Sequence, residues 1–188
     1  HYIRNDVEAE SIVDSGLDEI IVSLDGVDQE TYSKYRVGGD IERVFSGVKR
    51  LVQAKLRRGT QTPLINLQFI VMRHNQNDVD KAEEYARSLG VDKFLIKTAQ
   101  VYSEQDAEEF LPIQEEYKRY EDTVDGLTVK GQPIRGCKVL WYSTMVNWNG
   151  DVAPCCFDKD IEFNMGSAFS GGRFDRIWRG PAYMEFRK

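Results

Sequence analysis

Hydrophobic positions along the first hundred residues alternate between two periods. Ala9, Ile12 and Val13 share one helical face, with Asp6 as the expected cap and Gly16 as the stop near Ser15. Glu19 to Asp25 then reads as a strand. A helix is predicted to start at Asp28, and a longer one to run from Asp40 to Arg58. Ile41, Val44, Phe45, Val48, Leu51 and Val52 recur there at helical spacing, and Gly59 closes the segment. Pro63 opens a strand through Met72. Asn77 or Asp78 caps the next helix, which turns Val79, Ala82, Ala86 and Leu89 inward and stops at Gly90, and Phe94 to Thr98 is a further strand. Alternation of this kind specifies βαβ units and a parallel sheet.

The pattern changes after Gln100. Glu104 to Glu121 reads as a charged helix with Phe110, Ile113, Tyr117 and Tyr120 as its apolar positions and Pro112 as a potential break. Residues 123–136 are turn-rich and read as a connector. Leu140 to Trp148 and Asp151 to Cys155 flank Asn149-Gly150, a strong signal for a tight hairpin. A terminal helix is expected around Phe174, Ile177 and Trp178. These boundaries predict two regions, 1–122 and 123–188.

Two of the strands carry an unexpected polar face. Ile65, Leu67, Phe69 and Val71 make one apolar side of the second strand, while Asn66 and Gln68 share the other. In the first strand Ile21, Ser23 and Asp25 lie opposite Ile20, Val22 and Leu24. A parallel strand is normally covered on both sides and reads apolar throughout. Buried Ser, Asp, Asn and Gln need hydrogen-bond partners. These residues therefore either satisfy one another or line a site. Ser23 and Asp25 fall at a C-terminal strand end, where (β/α) barrels place their chemistry. Asp25 equally suits the cap of the following helix.

Composition narrows the class. A chain of 188 residues with 41% hydrophobic and 30% charged positions reads as globular and cytoplasmic, without a signal peptide or the ~18-residue apolar run of a membrane span. A net charge of −6 argues against nucleic acid as the main partner. The three cysteines, Cys137, Cys155 and Cys156, are confined to the last third of the chain. An odd count in a reducing compartment argues against a disulfide framework and for metal binding or inert free thiols. Cys155 and Cys156 are adjacent and point opposite ways on a strand, so one of them at most serves a given site. Zinc is the rival metal, but its usual Cys-x2-Cys pairs are absent.

These pieces, in their order and spacing, resemble radical S-adenosylmethionine (SAM) enzymes with a SPASM extension. Gly16 to Gly26 is similar to the fourth barrel strand of that family, and Tyr32-Ser-Lys-Tyr-Arg36 to the helix after it. Ile65 to Asn75 is similar to the fifth strand and its exit loop, and Leu89 to Phe94 to the approach to the sixth. Cys137, twelve residues, Gly150, four residues and Cys155 match the opening of the SPASM cysteine pattern. Asn164-Met-Gly166 and Phe174 to Trp178 also resemble that extension. The resemblance implies an α/β fold: roughly the second half of a partial (β/α) barrel, followed by a small β-hairpin-plus-helix segment.

The resemblance further implies two cofactors, SAM and [4Fe–4S] clusters. Ser23 and Asp25 match positions that contact the ribose or methionine portion of SAM. Arg36 matches a basic residue that grips the SAM carboxylate, against the alternative of a solvated helix arginine. Asn66 and Gln68 would face the same cavity, and Cys137 and Cys155 would be ligands of an auxiliary cluster. Cys156 has no assigned role, and Lys97 reads equally as a solvated strand end. The implied reaction is reductive cleavage of SAM to a 5′-deoxyadenosyl radical that abstracts hydrogen from a substrate. The implied partners are a peptide or protein substrate and a reductase or flavodoxin-type electron donor, with no nucleic acid and no membrane. The family's Cys-x3-Cys-x2-Cys loop and Gly-Gly-Glu-Pro-like segment have no counterpart in the sequence, and its later SPASM cysteines would fall beyond Lys188. The chain is thus expected to be the middle of a longer enzyme, inactive alone. An open half-barrel is also expected to be poorly soluble or oligomeric. The competing readings are a non-catalytic metal- or peptide-binding module on the same scaffold, and an ordinary barrel enzyme with structural thiols.

Overall fold

The computed structural model describes residues 3–123, 126–131, 137–171 and 173–188. It divides into two compact units, residues 1–130 and 131–188.

In the first unit α1 (Asp6–Asp14) starts one residue earlier than the sequence suggests, because Asn5 rather than Asp6 caps it and accepts the Glu8 N–H. Three parallel strands follow, β1 (Glu19–Ser23), β2 (Leu64–Val71) and β3 (Lys93–Thr98), hydrogen-bonded in that order. Between β1 and β2 run α2 (Gln29–Tyr35), capped by Asp28, and α3 (Ile41–Arg58), capped by Asp40. Gly59 ends α3 at a φ of 62°, the left-handed turn that glycine adopts without strain. Between β2 and β3 lies α4 (Val79–Leu89). The predicted alternation of strand and helix is present.

The core sits on one face of this sheet. Leu24, Ile65 and Leu67 pack with Ala9 and Val13 of α1, Val44, Val48 and Leu51 of α3, and Ala86 and Leu89 of α4. Phe69 and Val71 extend it beside Val79 and Ala82. Each of the larger aliphatic side chains contributes about 1.5–3 kcal/mol on burial.

A charged tie crosses the far end of the sheet. Lys55, nearly buried on α3, lies 2.7 Å from Asp92, which also accepts the Ile65 N–H at 2.6 Å. Burial alone would raise the Asp92 carboxyl, but the Ile65 N–H and the Lys55 ammonium outweigh it and hold the group below its ordinary range. A lowered native value means stability that is present above the unfolded value, about 4, and is lost as pH falls through the native one. Asp92→Asn is expected to lower stability at pH 7 by about 1 kcal/mol. In urea melts that difference should shrink at pH 3, where wild type has lost the same contribution.

The segment predicted as one helix over 104–121 is three elements. Helix α5 (Glu104–Phe110) stops before Pro112, a 3-10 turn spans Glu115–Tyr117, and β4 (Tyr120–Thr123) pairs antiparallel with β5 (Gly126–Val129). The residue before a proline is pushed out of helical geometry, and Leu111 is extended at ψ 130°. The predicted connector over 123–136 therefore contains a strand, and its residues 132–136 lie outside the described ones.

The second unit begins with a 3-10 turn at Lys138–Trp141. Its hairpin pairs β6 (Met145–Val146) with β7 (Val152–Ala153) around the predicted Asn149-Gly150 turn, and it is shorter than the sequence suggests. Gly150 has φ 88°, and a Cβ there would lie 2.6 Å from the Phe169 ring, so only glycine fits. The terminal helix is two short ones, α6 (Phe174–Trp178) and α7 (Pro181–Phe186).

The α/β class with a parallel sheet is as expected. Among the described residues no helix is long and apolar enough to cross a membrane.

Candidate functional site

The register of the parallel sheet fixes which side chains share its second face. Ile21 pairs with Asn66 and Ser23 with Gln68. On the other side Asn66 pairs with Lys93, Gln68 with Leu95 and Ile70 with Lys97. Aligned residues of parallel strands project the same way. Ser23, Asn66 and Gln68 therefore stand together on the face opposite α1, α3 and α4.

The polar groups of this face are incompletely satisfied. Asn66 is 1% exposed; its amide donates to Glu19, while its buried Oδ1 has no partner among the described residues. Among the described residues neither the Ser23 hydroxyl nor the Gln68 amide makes a hydrogen bond, and both groups are half-buried. A buried acceptor without a donor is costly unless something supplies one. Lys97 is exposed at the end of β3.

Asp25 and Arg36 meet each other. Asp25 is fully buried just past β1, at φ 38°. This uncommon backbone turn aims one carboxylate oxygen at the Ile70 N–H, 2.7 Å away. The other oxygen accepts Arg36 Nε at 2.7 Å and also meets Nη2. Two guanidinium nitrogens thus converge on a single carboxylate oxygen, a charge-assisted contact. Burial pushes the Asp25 carboxyl above its ordinary range, against the downward pull of the Ile70 N–H, Arg36 and His74. The sequence readings of Arg36 as solvated or as holding an external carboxylate both miss this partner, which is eleven residues away in the chain. Asp25 likewise does not cap the next helix; Asp28 does.

Asn75, which drew no attention in the sequence, completes the arrangement. It is 1% exposed. Its amide donates to the carbonyls of Asp25 at 3.1 Å and Ile70 at 3.0 Å, and its Oδ1 accepts the Met72 N–H at 2.7 Å. One side chain thus ties the C-terminal ends of β1 and β2 together. Beside it, burial and then the Lys34 charge hold the His74 imidazole below its ordinary value, so it is neutral at pH 7.

In the second unit Cys137 and Cys156 are exposed and Cys155 is half-buried, all with free thiols. The Cys155 sulfur accepts the Phe157 N–H at 3.2 Å. Backbone N–H groups on a ligand sulfur tune the potential of a bound cluster. Among the described residues no bond of this kind reaches Cys156. Nor do three or more metal-ligating side chains converge anywhere among them. Cys137 and Cys155 have the donor chemistry for an iron–sulfur cluster, but two thiolates are short of its usual four.

Comparison with known proteins matches residues 137–188 to the SPASM family, an iron-sulfur cluster-binding domain. A protein of Methanocaldococcus jannaschii named probable GTP 3′,8-cyclase is 34% identical over 112 residues, 60% of this chain and 32% of that protein. Two of the same name from Methanococcus maripaludis strains are 30% identical over 183 residues (87% of this chain, 60% of that protein) and 28% over 171 (81% and 55%). The chain thus spans between about a third and three-fifths of the length of these curated relatives. No solved structure matches. These findings bear out the resemblance to radical SAM enzymes with a SPASM extension, and with it the iron–sulfur and SAM cofactors. They overturn one expectation. The relatives are named for GTP, a nucleotide, so the peptide or protein substrate drawn from the wider family is corrected.

Proposed function

We propose that this chain, which carries part of a radical SAM enzyme with a SPASM extension, supplies SAM contacts and auxiliary-cluster ligands to an enzyme acting on a nucleotide of the GTP class. The substrate class rests on the names of the relatives. The observation that carries the rest is the grouping of Ser23, Asn66 and Gln68, with the orphaned Asn66 Oδ1, on the sheet face opposite the helices.

In this reading the three-stranded sheet is part of a partial (β/α) barrel. β1 is an edge strand, and a cavity of about 970 Å³ follows it between α1 and α3, lined by Ile3, Ile12, Ile20, Val22 and Val44 among others. An unpaired parallel edge of this length invites a further strand. The site of action is the cytoplasm, where thiols stay reduced.

When bound, the cofactors supply reductive cleavage of SAM to methionine and a 5′-deoxyadenosyl radical, which takes hydrogen from the substrate. The residues of this chain bind and orient. Ser23 and Gln68 offer hydroxyl and amide groups to the ribose or amino-acid portion, and Asn66 Oδ1 accepts a donor from it. Asp25 holds the end of β1 in place through Ile70 and Arg36. The half-exposed guanidinium of Arg36 spends Nε and Nη2 on Asp25, and its Nη1, without a hydrogen-bond partner among the described residues, is offered to the SAM carboxylate. Cys137 and Cys155 hold an auxiliary cluster with further ligands from the full-length protein.

The test uses full-length protein reconstituted anaerobically with iron and sulfide, then given SAM, dithionite and GTP. Formation of 5′-deoxyadenosine together with GTP consumption is expected. No 5′-deoxyadenosine under any condition would overturn the enzyme reading. Its formation without GTP consumption would overturn the substrate class.

A further inference from the structure

The C-terminal helix of the second unit touches both cysteine-bearing segments. The Tyr183 hydroxyl donates to the Ala153 carbonyl at 3.2 Å, two residues before Cys155. Thr144 donates to the same carbonyl at 2.9 Å and meets the Tyr183 hydroxyl, so three groups close around this point of the hairpin. One turn further along, Arg187 Nε donates to the Leu140 carbonyl at 3.2 Å. Leu140 belongs to the turn that opens at Cys137, since its N–H bonds the Cys137 carbonyl at 3.2 Å.

Arg187 is itself firmly held. Its guanidinium carbon lies 3.9 Å from the Trp178 ring centroid, 4.4 Å from Tyr183 and 5.4 Å from Trp141. Nη1 donates to the Trp178 carbonyl at 2.9 Å. The remaining Nη2 is buried and has no partner among the described residues. A fixed cation of this kind has few alternative positions, and its charge is poorly screened.

We propose that Tyr183 and Arg187 are positioning residues that hold the Cys137 turn and the Cys155 hairpin in one arrangement, and that Arg187 adds a positive field to the cluster they bind. The proposal rests on the reading of Cys137 and Cys155 as ligands. Neither residue is a ligand itself. Outer groups that orient ligands, together with net charge nearby, set the properties of an iron–sulfur centre. Removing the guanidinium charge disfavours the reduced, more negative cluster, so its potential falls.

The experiment compares the auxiliary-cluster signal in full-length, reconstituted protein by EPR-monitored redox titration. Arg187→Met is expected to keep its iron while its midpoint shifts to more negative potential and its reduced-state spectrum changes. Arg187→Lys keeps the charge and the ring contact but loses the planar fork, and it should restore most of the potential without restoring the wild-type line shape. Tyr183→Phe keeps the ring, and it should broaden the signal by loosening the hairpin while leaving the midpoint close to wild type. Spectra and midpoints unchanged in all three variants would overturn the proposal. So would a shift in Arg187→Met that Arg187→Lys leaves wholly unrestored. If Arg187→Met does not fold, Arg187→Lys and Tyr183→Phe decide by the same criteria. Cys155→Ala, run in parallel, separates the two claims. Retention of the auxiliary iron there overturns the ligand reading, whereas its loss beside an unchanged Arg187→Met spectrum overturns only the positioning role.

Discussion

Replacing Asp25 with alanine is expected to destabilise the first unit by about 3 kcal/mol, the scale of breaking a buried ion pair from one side. The substitution strands the Ile70 N–H and removes the acceptor of the Arg36 fork. It also leaves a residue without a short polar side chain at φ 38°, which adds strain. The reverse change has a distinct signature. Arg36→Met leaves a fully buried carboxylate with only the Ile70 N–H, so Asp25 retains a proton to higher pH. The sign follows from the native value already standing above the ordinary one through burial. The native state prefers the protonated acid, so its contribution is complete below the unfolded value and is lost as pH rises through the native one. Arg36→Met should therefore cost more at pH 8 than at pH 5, measured by urea denaturation of the same preparation. Asp25→Asn should remove that pH dependence.

Tyr183→Ala carries the other large effect. Tyr183 is fully buried and packs 5.0 Å from Trp178, ring to ring. In the second unit the only other buried apolar side chains among the described residues are Val152, Ala153 and Pro154. Truncating a buried aromatic costs about 3–5 kcal/mol. A unit with so small a core has little else to hold it, and loss of its cooperative melting transition is expected. Tyr183→Phe loses only the hydroxyl bonds, about 1–2 kcal/mol, and should still melt cooperatively. Calorimetry of the two variants checks the contrast.

Much of this arrangement is legible in the sequence, for a physical reason. Strand periodicity is two, so Asn66 and Gln68 in an otherwise apolar run had to share a face, and the register then places Ser23 beside them. Helix ends were readable where a short polar side chain and a glycine bracket an apolar stripe, as at Asp40 and Gly59. What escaped depends on backbone angles and distant pairings. Nothing local signals that Asp25 turns to positive φ, so its pairing with Arg36 and Ile70 could not be read from spacing. Asn75 follows Arg73 and His74 and looks like an ordinary turn residue; its role appears only when β1 and β2 lie side by side. The helix expected over 104–121 failed because apolar spacing continues past Pro112 while the backbone cannot. The Phe157 N–H on the Cys155 sulfur likewise depends on turn geometry that spacing does not show.

The most direct test of the account is the iron and sulfide content of full-length protein in which Cys155 or Cys156 is replaced by alanine, reconstituted side by side with wild type. Cys155→Ala should lose the auxiliary cluster, about four irons per chain, and Cys156→Ala should match wild type. Equal iron in all three proteins, or loss confined to Cys156→Ala, would contradict it.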